Sequence, residues 1–99
     1  MIEHRVYFKL KSGTDAEQLQ DLYSSILDLK DSIYGIISVD FKKNISKEGK
    51  DRGCNDFFIM FFKNARFLED YLGNPMHKRV ALEHFRPYVD EVLVFDNEL

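Results

Sequence analysis

The run Phe57-Phe58-Ile59-Met60-Phe61-Phe62 constrains this fold more than any other stretch. A strand apolar on both faces must be covered on both sides, or large side chains stand in water. Ninety-nine residues fit one domain, 1–99, with one core. Helices can cover one side of such a strand. Little chain remains for the other, so a second copy is the natural partner. Nine phenylalanines in so short a chain argue the same way, because one small core cannot hide them all.

The flanking sequence supplies the other elements. Ile2, His4, Val6, Phe8 and Leu10 alternate with Glu3, Arg5, Tyr7, Lys9 and Lys11, a period of two that marks a strand with one apolar face. His4 lies on that face, and Gly13 ends the strand. Thr14-Asp15-Ala16-Glu17 reads as a capping box, with Thr14 capping and Glu17 reaching back. Leu19, Leu22, Tyr23, Ile26, Leu29 and Ile33 follow at helical spacing until Tyr34-Gly35. Ile37, Val39 and Phe41 form a second strand, and 43–53 is a polar, exposed loop.

Asn64 caps a helix carrying Phe67, Leu68, Tyr71 and Leu72. Gly73 closes it, Asn74 caps the next helix, and Pro75 takes its first position. That helix carries Val80, Ala81, His84 and Phe85 and ends at Pro87. Val92 to Phe95 make the last strand. The order β-α-β-β-α-α-β predicts an α+β, ferredoxin-like protomer, an antiparallel sheet with helices on one face.

Several function classes are excluded. A net charge of -3 with dispersed Lys and Arg offers no stripe for a nucleic-acid backbone. No apolar run approaches the roughly 20 residues that span a bilayer, and the N-terminus has no signal-peptide block. Cys54 is the lone cysteine, which suits a reducing compartment, so a cytoplasmic protein is expected. Its histidines and cysteine lack metal-ligand spacing, and its five glycines are isolated, so neither a metal nor a phosphate-cradling loop is expected.

What chemistry there is concentrates in Tyr71-Leu72-Gly73-Asn74-Pro75-Met76-His77. An imidazole and a phenol held at a helix junction can bind or protonate a small oxygen-rich molecule. His77 titrates near neutral pH, and its early helical position favours the neutral form that a base requires. Each candidate also has a plainer reading. His77 can pin the junction, Tyr71 can fill the core, and His4 can be a buried histidine satisfied by a neighbour. Asp56, at the start of the third strand, can orient a histidine or close a turn.

The element order, the opening Ile2-Glu3-His4-Arg5-Val6-Tyr7-Phe8-Lys9-Leu10-Lys11, the Asp51-Arg52-Gly53 lead-in, the Tyr71-to-His77 segment and the closing Val89-to-Asp96 stretch resemble the stress-responsive alpha/beta-barrel (Dabb) family. The likeness covers nearly the whole chain. It implies protomers whose sheets pack together as a dimeric α+β barrel, and no metal or organic cofactor. A plant polyketide cyclase of that family closes a poly-β-keto thioester by aldol condensation. By that resemblance His77 corresponds to the general base, Tyr71 to the residue that polarises the carbonyl, and His4 to a pocket-lining histidine. Two positions depart from the pattern: Ile26 stands where the cyclase has a second pocket tyrosine, and Asp56 where many relatives have a histidine. The expected function is a cofactor-independent lyase or cyclase acting on an aromatic or keto compound. The alternative is a non-catalytic dimer that binds an apolar ligand or acts through assembly. Fold analogy alone adds a heme-free monooxygenase.

Overall fold

In a computed structural model describing residues 1–99, Ile2, His4, Val6 and Phe8 all point to one side of β1 (Ile2–Leu10) and are buried there. Along β3 (Asp56–Phe62) Phe58, Met60 and Phe62 are buried on one face, and Asp56 and Ile59 are buried as well. The antiparallel register Ile2↔Phe62, His4↔Met60 and Val6↔Phe58 puts both sets on the same face. Two further strands, β2 (Ile36–Lys43) and β4 (Val89–Glu98), pair outside these, giving the order β2-β3-β1-β4. Every pairing is antiparallel. With its helices on one face, the chain has the α+β, ferredoxin-like fold that its sequence predicts.

Helix α1 (Ala16–Ser32) contributes Leu22, Ile26 and Leu29 to the core, the stripe expected of a 3.6-residue period. Its cap lies one residue later than expected. Asp15, extended at φ -89° and ψ 174°, accepts from the Gln18 amide, while the Gln18 side chain accepts from the Asp15 N–H. The Thr14 hydroxyl is committed elsewhere, donating to the Lys11 carbonyl at 2.6 Å. Leu22 is fully buried, and Leu22→Ala would cost about 2–5 kcal/mol.

The second helical layer begins with α2 (Ala65–Gly73), capped by Asn64, and α3 (Pro75–Val80), capped by Asn74 with Pro75 in its first turn. Asn74 and Pro75 act at this junction as expected, but Gly73 is the last helical residue of α2 and the cap falls on Asn74, whose N–H meets the Tyr71 carbonyl. The continuation differs. Beyond Val80 the chain widens into a π turn, Ala81–Phe85, closed by the Arg86 N–H on the Ala81 carbonyl, and then tightens into a 3-10 turn, Arg86–Tyr88. Strand β4 is also longer than its apolar centre, because β1 pairs with it from Val89 to Glu98.

The opposite sheet face has no helix over it. Tyr7 stacks on Phe57 there with ring centroids 4.7 Å apart, and Phe95 meets Tyr7 edge-on at 6.1 Å. Phe95 is 58% exposed.

Candidate functional site

Between the helix-facing side of the sheet and the α2–α3 layer lies a cavity of about 590 Å³. That volume falls in the range of small-molecule sites. Phenylalanine does not fill it. Phe58 and Phe85 line it, packed against Phe8 and Phe41, and Val6, Ile26, Val92 and Val94 form much of the rest of the wall. His4, Tyr71 and His77 also line this space, so three dispersed positions of the sequence converge.

His4 arrives on the buried face of β1 and is 4% exposed. Directly across the β1–β4 ladder is Asp96, whose Oδ1 lies 2.5 Å from the His4 Nδ1. The carboxylate accepts, so Nδ1 carries the hydrogen of this bond. The His4 ring meets Tyr71 and Phe62 edge-on at 5.9 and 6.1 Å.

Tyr71 projects inward from α2 and is 2% exposed. Burial alone drives its phenol far above the usual tyrosine range. It therefore remains protonated, a hydrogen-bond donor rather than a base. Its ring lies 4.0 Å from that of His77 at an interplanar angle of 32°.

His77 occupies the third position of α3. Burial first, and then the nearby His4, hold its imidazole below the ordinary histidine value. Burial acts in the same direction as the helix-end effect expected from sequence, which a six-residue helix supplies only weakly. The carbonyls of Leu72 and Tyr71 pull the other way. Neither meets Nδ1 with hydrogen-bond geometry, and that buried nitrogen has no partner. A buried polar atom of this kind is uncommon, and because Nδ1 is closed off from solvent it is not the part of the ring that meets the cavity.

The remaining candidates separate. Ile26 lies on the cavity wall, giving an apolar surface where the family resemblance implies a tyrosine. Asp56 lies outside the cavity. The β2–β3 register places it opposite Lys43, whose Nζ it accepts at 3.0 Å, so its carboxylate is neither turn-forming nor aimed at a histidine. His84 does not share the His77 face. Across the π turn it reaches Asp21 on α1, with Nδ1 3.0 Å from each carboxylate oxygen.

Sequence reasoning missed Asp96, although it opposes His4 near the far ends of two alternating strands. It also missed Arg86 and Asp90, which line the exposed end of the cavity. No helix is long and apolar enough to cross a membrane.

The fold has parallels among known proteins. Olivetolic acid cyclase of Cannabis sativa is 20% identical over 95 residues, spanning 96% of this chain and 93% of the cyclase. The structure of At3g17210 from Arabidopsis thaliana superposes with a TM-score of 0.92 at 23% identity, covering 100% of this chain and 95% of that one. Hydroxynitrile lyase from Passiflora edulis gives 0.84 at 15% identity, with 97% and 90% covered. A ferredoxin-like protein from Jannaschia sp. CCS1, described as dimeric, gives 0.77 at 20% identity, with 99% and 98% covered. These structural likenesses concern the fold. The family model for the stress responsive A/B barrel domain matches residues 2–99, and the chain belongs to that family, Dabb.

Proposed function

We propose that the cavity binds a small carbonyl compound with an aromatic or apolar body, and that it acts on it as a cofactor-independent lyase or cyclase. The observation that carries this reading is the close approach of Tyr71 and His77, both on the lining of a cavity with apolar walls. The Tyr71 O–H donates to the substrate carbonyl oxygen. Neutral His77 removes a proton from the adjacent carbon, and the electron pair moves onto the oxygen that Tyr71 holds. The enolate then attacks a second carbonyl carbon, forming the ring bond of a cyclase, while that carbonyl's π electrons move to its oxygen, which takes the proton from His77. In a lyase the donor and base work on a hydroxyl instead: His77 takes the hydroxyl proton, the C–O bond becomes a carbonyl, and the neighbouring C–C bond breaks with its electron pair leaving on the departing carbon, which takes the proton back from His77. Ile26 makes part of the cavity wall apolar, which favours aryl or alkyl substituents over hydroxylated ones.

The protein works as a single domain paired with a second copy through the uncovered sheet face. The aromatic surface around Tyr7, Phe57 and Phe95 supports that pairing, as do the dimeric relatives of the same fold. Its one cysteine accords with a cytoplasmic setting.

The test is a thermal-shift screen with phenolic, quinone and β-keto compounds, followed by turnover assays on whatever binds. His77→Ala is expected to abolish both the stabilisation and any turnover. Tyr71→Phe is expected to fold normally and lose turnover. Binding and turnover unchanged in both variants would sink the proposal. A hit bound without turnover would instead favour the non-catalytic dimer, for which Ile26 in place of a polar residue is the supporting observation.

A further inference from the structure

Arg86 differs from the other arginines of the chain. Arg5, Arg52, Arg66 and Arg79 are each in an ion pair, with Glu3, Glu91, Asp70 and Glu83. Arg86 is in none, and it alone of the five lines the cavity. It is exposed where His4 and Tyr71 are buried, so it stands at the cavity's open end.

Its backbone is held on both sides. His84 and Tyr88 flank Arg86 at two residues' distance, and both are tied to Asp21 on α1. The His84 Nδ1 lies 3.0 Å from each Asp21 oxygen, and the Tyr88 hydroxyl donates to Oδ2 at 2.7 Å. The bonds to His84 and Tyr88 hold the Asp21 carboxyl below its ordinary value, so the clasp stays ionised at neutral pH. Between these two ties the Arg86 N–H closes the π turn on Ala81. The guanidinium therefore projects from a fixed point on the rim.

The walls between the buried floor and the rim include Val6, Ile26, Val92 and Val94. A ligand that fits this profile carries a hydrogen-bonding group at one end, an apolar middle, and a charge at the other end. We propose that Arg86 recognises an oxyanion, a carboxylate or a phosphate, at the end of the ligand remote from the carbonyl held by Tyr71 and His77. The two-pronged guanidinium suits either group. Asp90 lines the same rim without pairing to Arg86, and its carboxylate opposes an anion, so the preference is modest and falls on the Arg86 side. This inference rests on reading the cavity as a ligand site.

The test uses the full chain and three probes: benzoylbutyrate, its phosphonate analogue and its primary amide, titrated calorimetrically at low salt. The wild type is expected to bind at least one oxyanion about threefold to fivefold more tightly than the amide, the worth of an exposed ion pair. Which oxyanion wins separates carboxylate from phosphate recognition. Added salt should shrink the preference. Arg86→Gln should remove it while leaving amide affinity intact, and Asp90→Asn should enlarge it. Equal affinities in the wild type, or a preference that survives Arg86→Gln, would overturn the assignment. An amide that binds in a His77-dependent way without any oxyanion preference would sink the rim assignment and leave the cavity reading standing. If no probe binds at millimolar concentration, the cavity reading falls and this inference falls with it.

Discussion

His4 and Asp96 face each other across the β1–β4 ladder, and the carboxylate fixes the imidazole with its Nδ1 2.5 Å from Oδ1. The histidine is buried while the Asp96 side chain is 41% exposed, so the pair links the cavity floor to the sheet surface. Asp96→Ala would leave a buried ring nitrogen without a partner. A loss of about 1–2 kcal/mol in stability is expected by denaturant titration. Nitrogen-15 NMR should then report a mixture of His4 tautomers in place of one. Unchanged stability and tautomer would show that packing alone holds the ring.

His77 makes a prediction about pH. Burial keeps its native pKa below the unfolded value of about 6.5. Below pH 6.5 the unfolded chain therefore takes up the proton first. Stability that is full above about pH 6.5 should be lost as pH falls toward the native pKa of His77. In an NMR titration this imidazole should titrate below the ordinary histidine value, and His77→Phe should flatten that part of the stability curve. A native pKa at or above 6.5 would remove the argument for a neutral base.

Gly35 supplies a test of the frame around the site. At φ +101° it lies in the region that disfavours other residues, and an added Cβ would stand 2.5 Å from the Phe67 ring. Gly35→Ala should destabilise by about 2–4 kcal/mol, combining backbone strain with overpacking. Made in a Phe67→Ala background, the same change should cost about 1–2 kcal/mol, since only the backbone contribution survives. Equal losses in the two backgrounds would mean that Phe67 yields and the contact carries no strain.

The legible and illegible parts of this chain divide by sequence distance. Alternation marked the β1 face, and Gly73-Asn74-Pro75 marked the α2–α3 junction, because strand period and helix capping depend on neighbouring residues. Tyr71 and His77 could be placed near each other for the same reason. His4 and Asp96 are 92 residues apart, and Asp21 and His84 are 63 apart. Such pairs depend on strand register and helix packing, which periodicity does not encode. Asp56 shows the same limit. Its partner was set by the β2–β3 register that places Lys43 opposite. The π turn was hidden as well, since Val80, Ala81, His84 and Phe85 satisfy an ordinary helical spacing. Its wider closure sends His84 toward α1 and away from His77.

The uncovered sheet face yields the last prediction. Tyr7, Phe57 and Phe95 form a continuous aromatic surface there, and Phe95 stands more than half exposed. Surfaces of this kind on small domains are commonly buried by association. Light scattering coupled to size exclusion should find a dimer for the wild type. Phe95→Glu should weaken it about thirtyfold, corresponding to the ~2 kcal/mol of an aromatic residue central to an interface. Leu82→Glu is the matched control: Leu82 is 68% exposed but lies on the π turn, on the helical side of the sheet. It should leave the dimer intact. Circular dichroism must show both variants folded, so that loss of the dimer reports the interface alone. A wild-type monomer at every concentration, or a Phe95→Glu protein that stays dimeric, would mean that this face meets water in solution. The two-sided apolar character of β3 would then need another explanation.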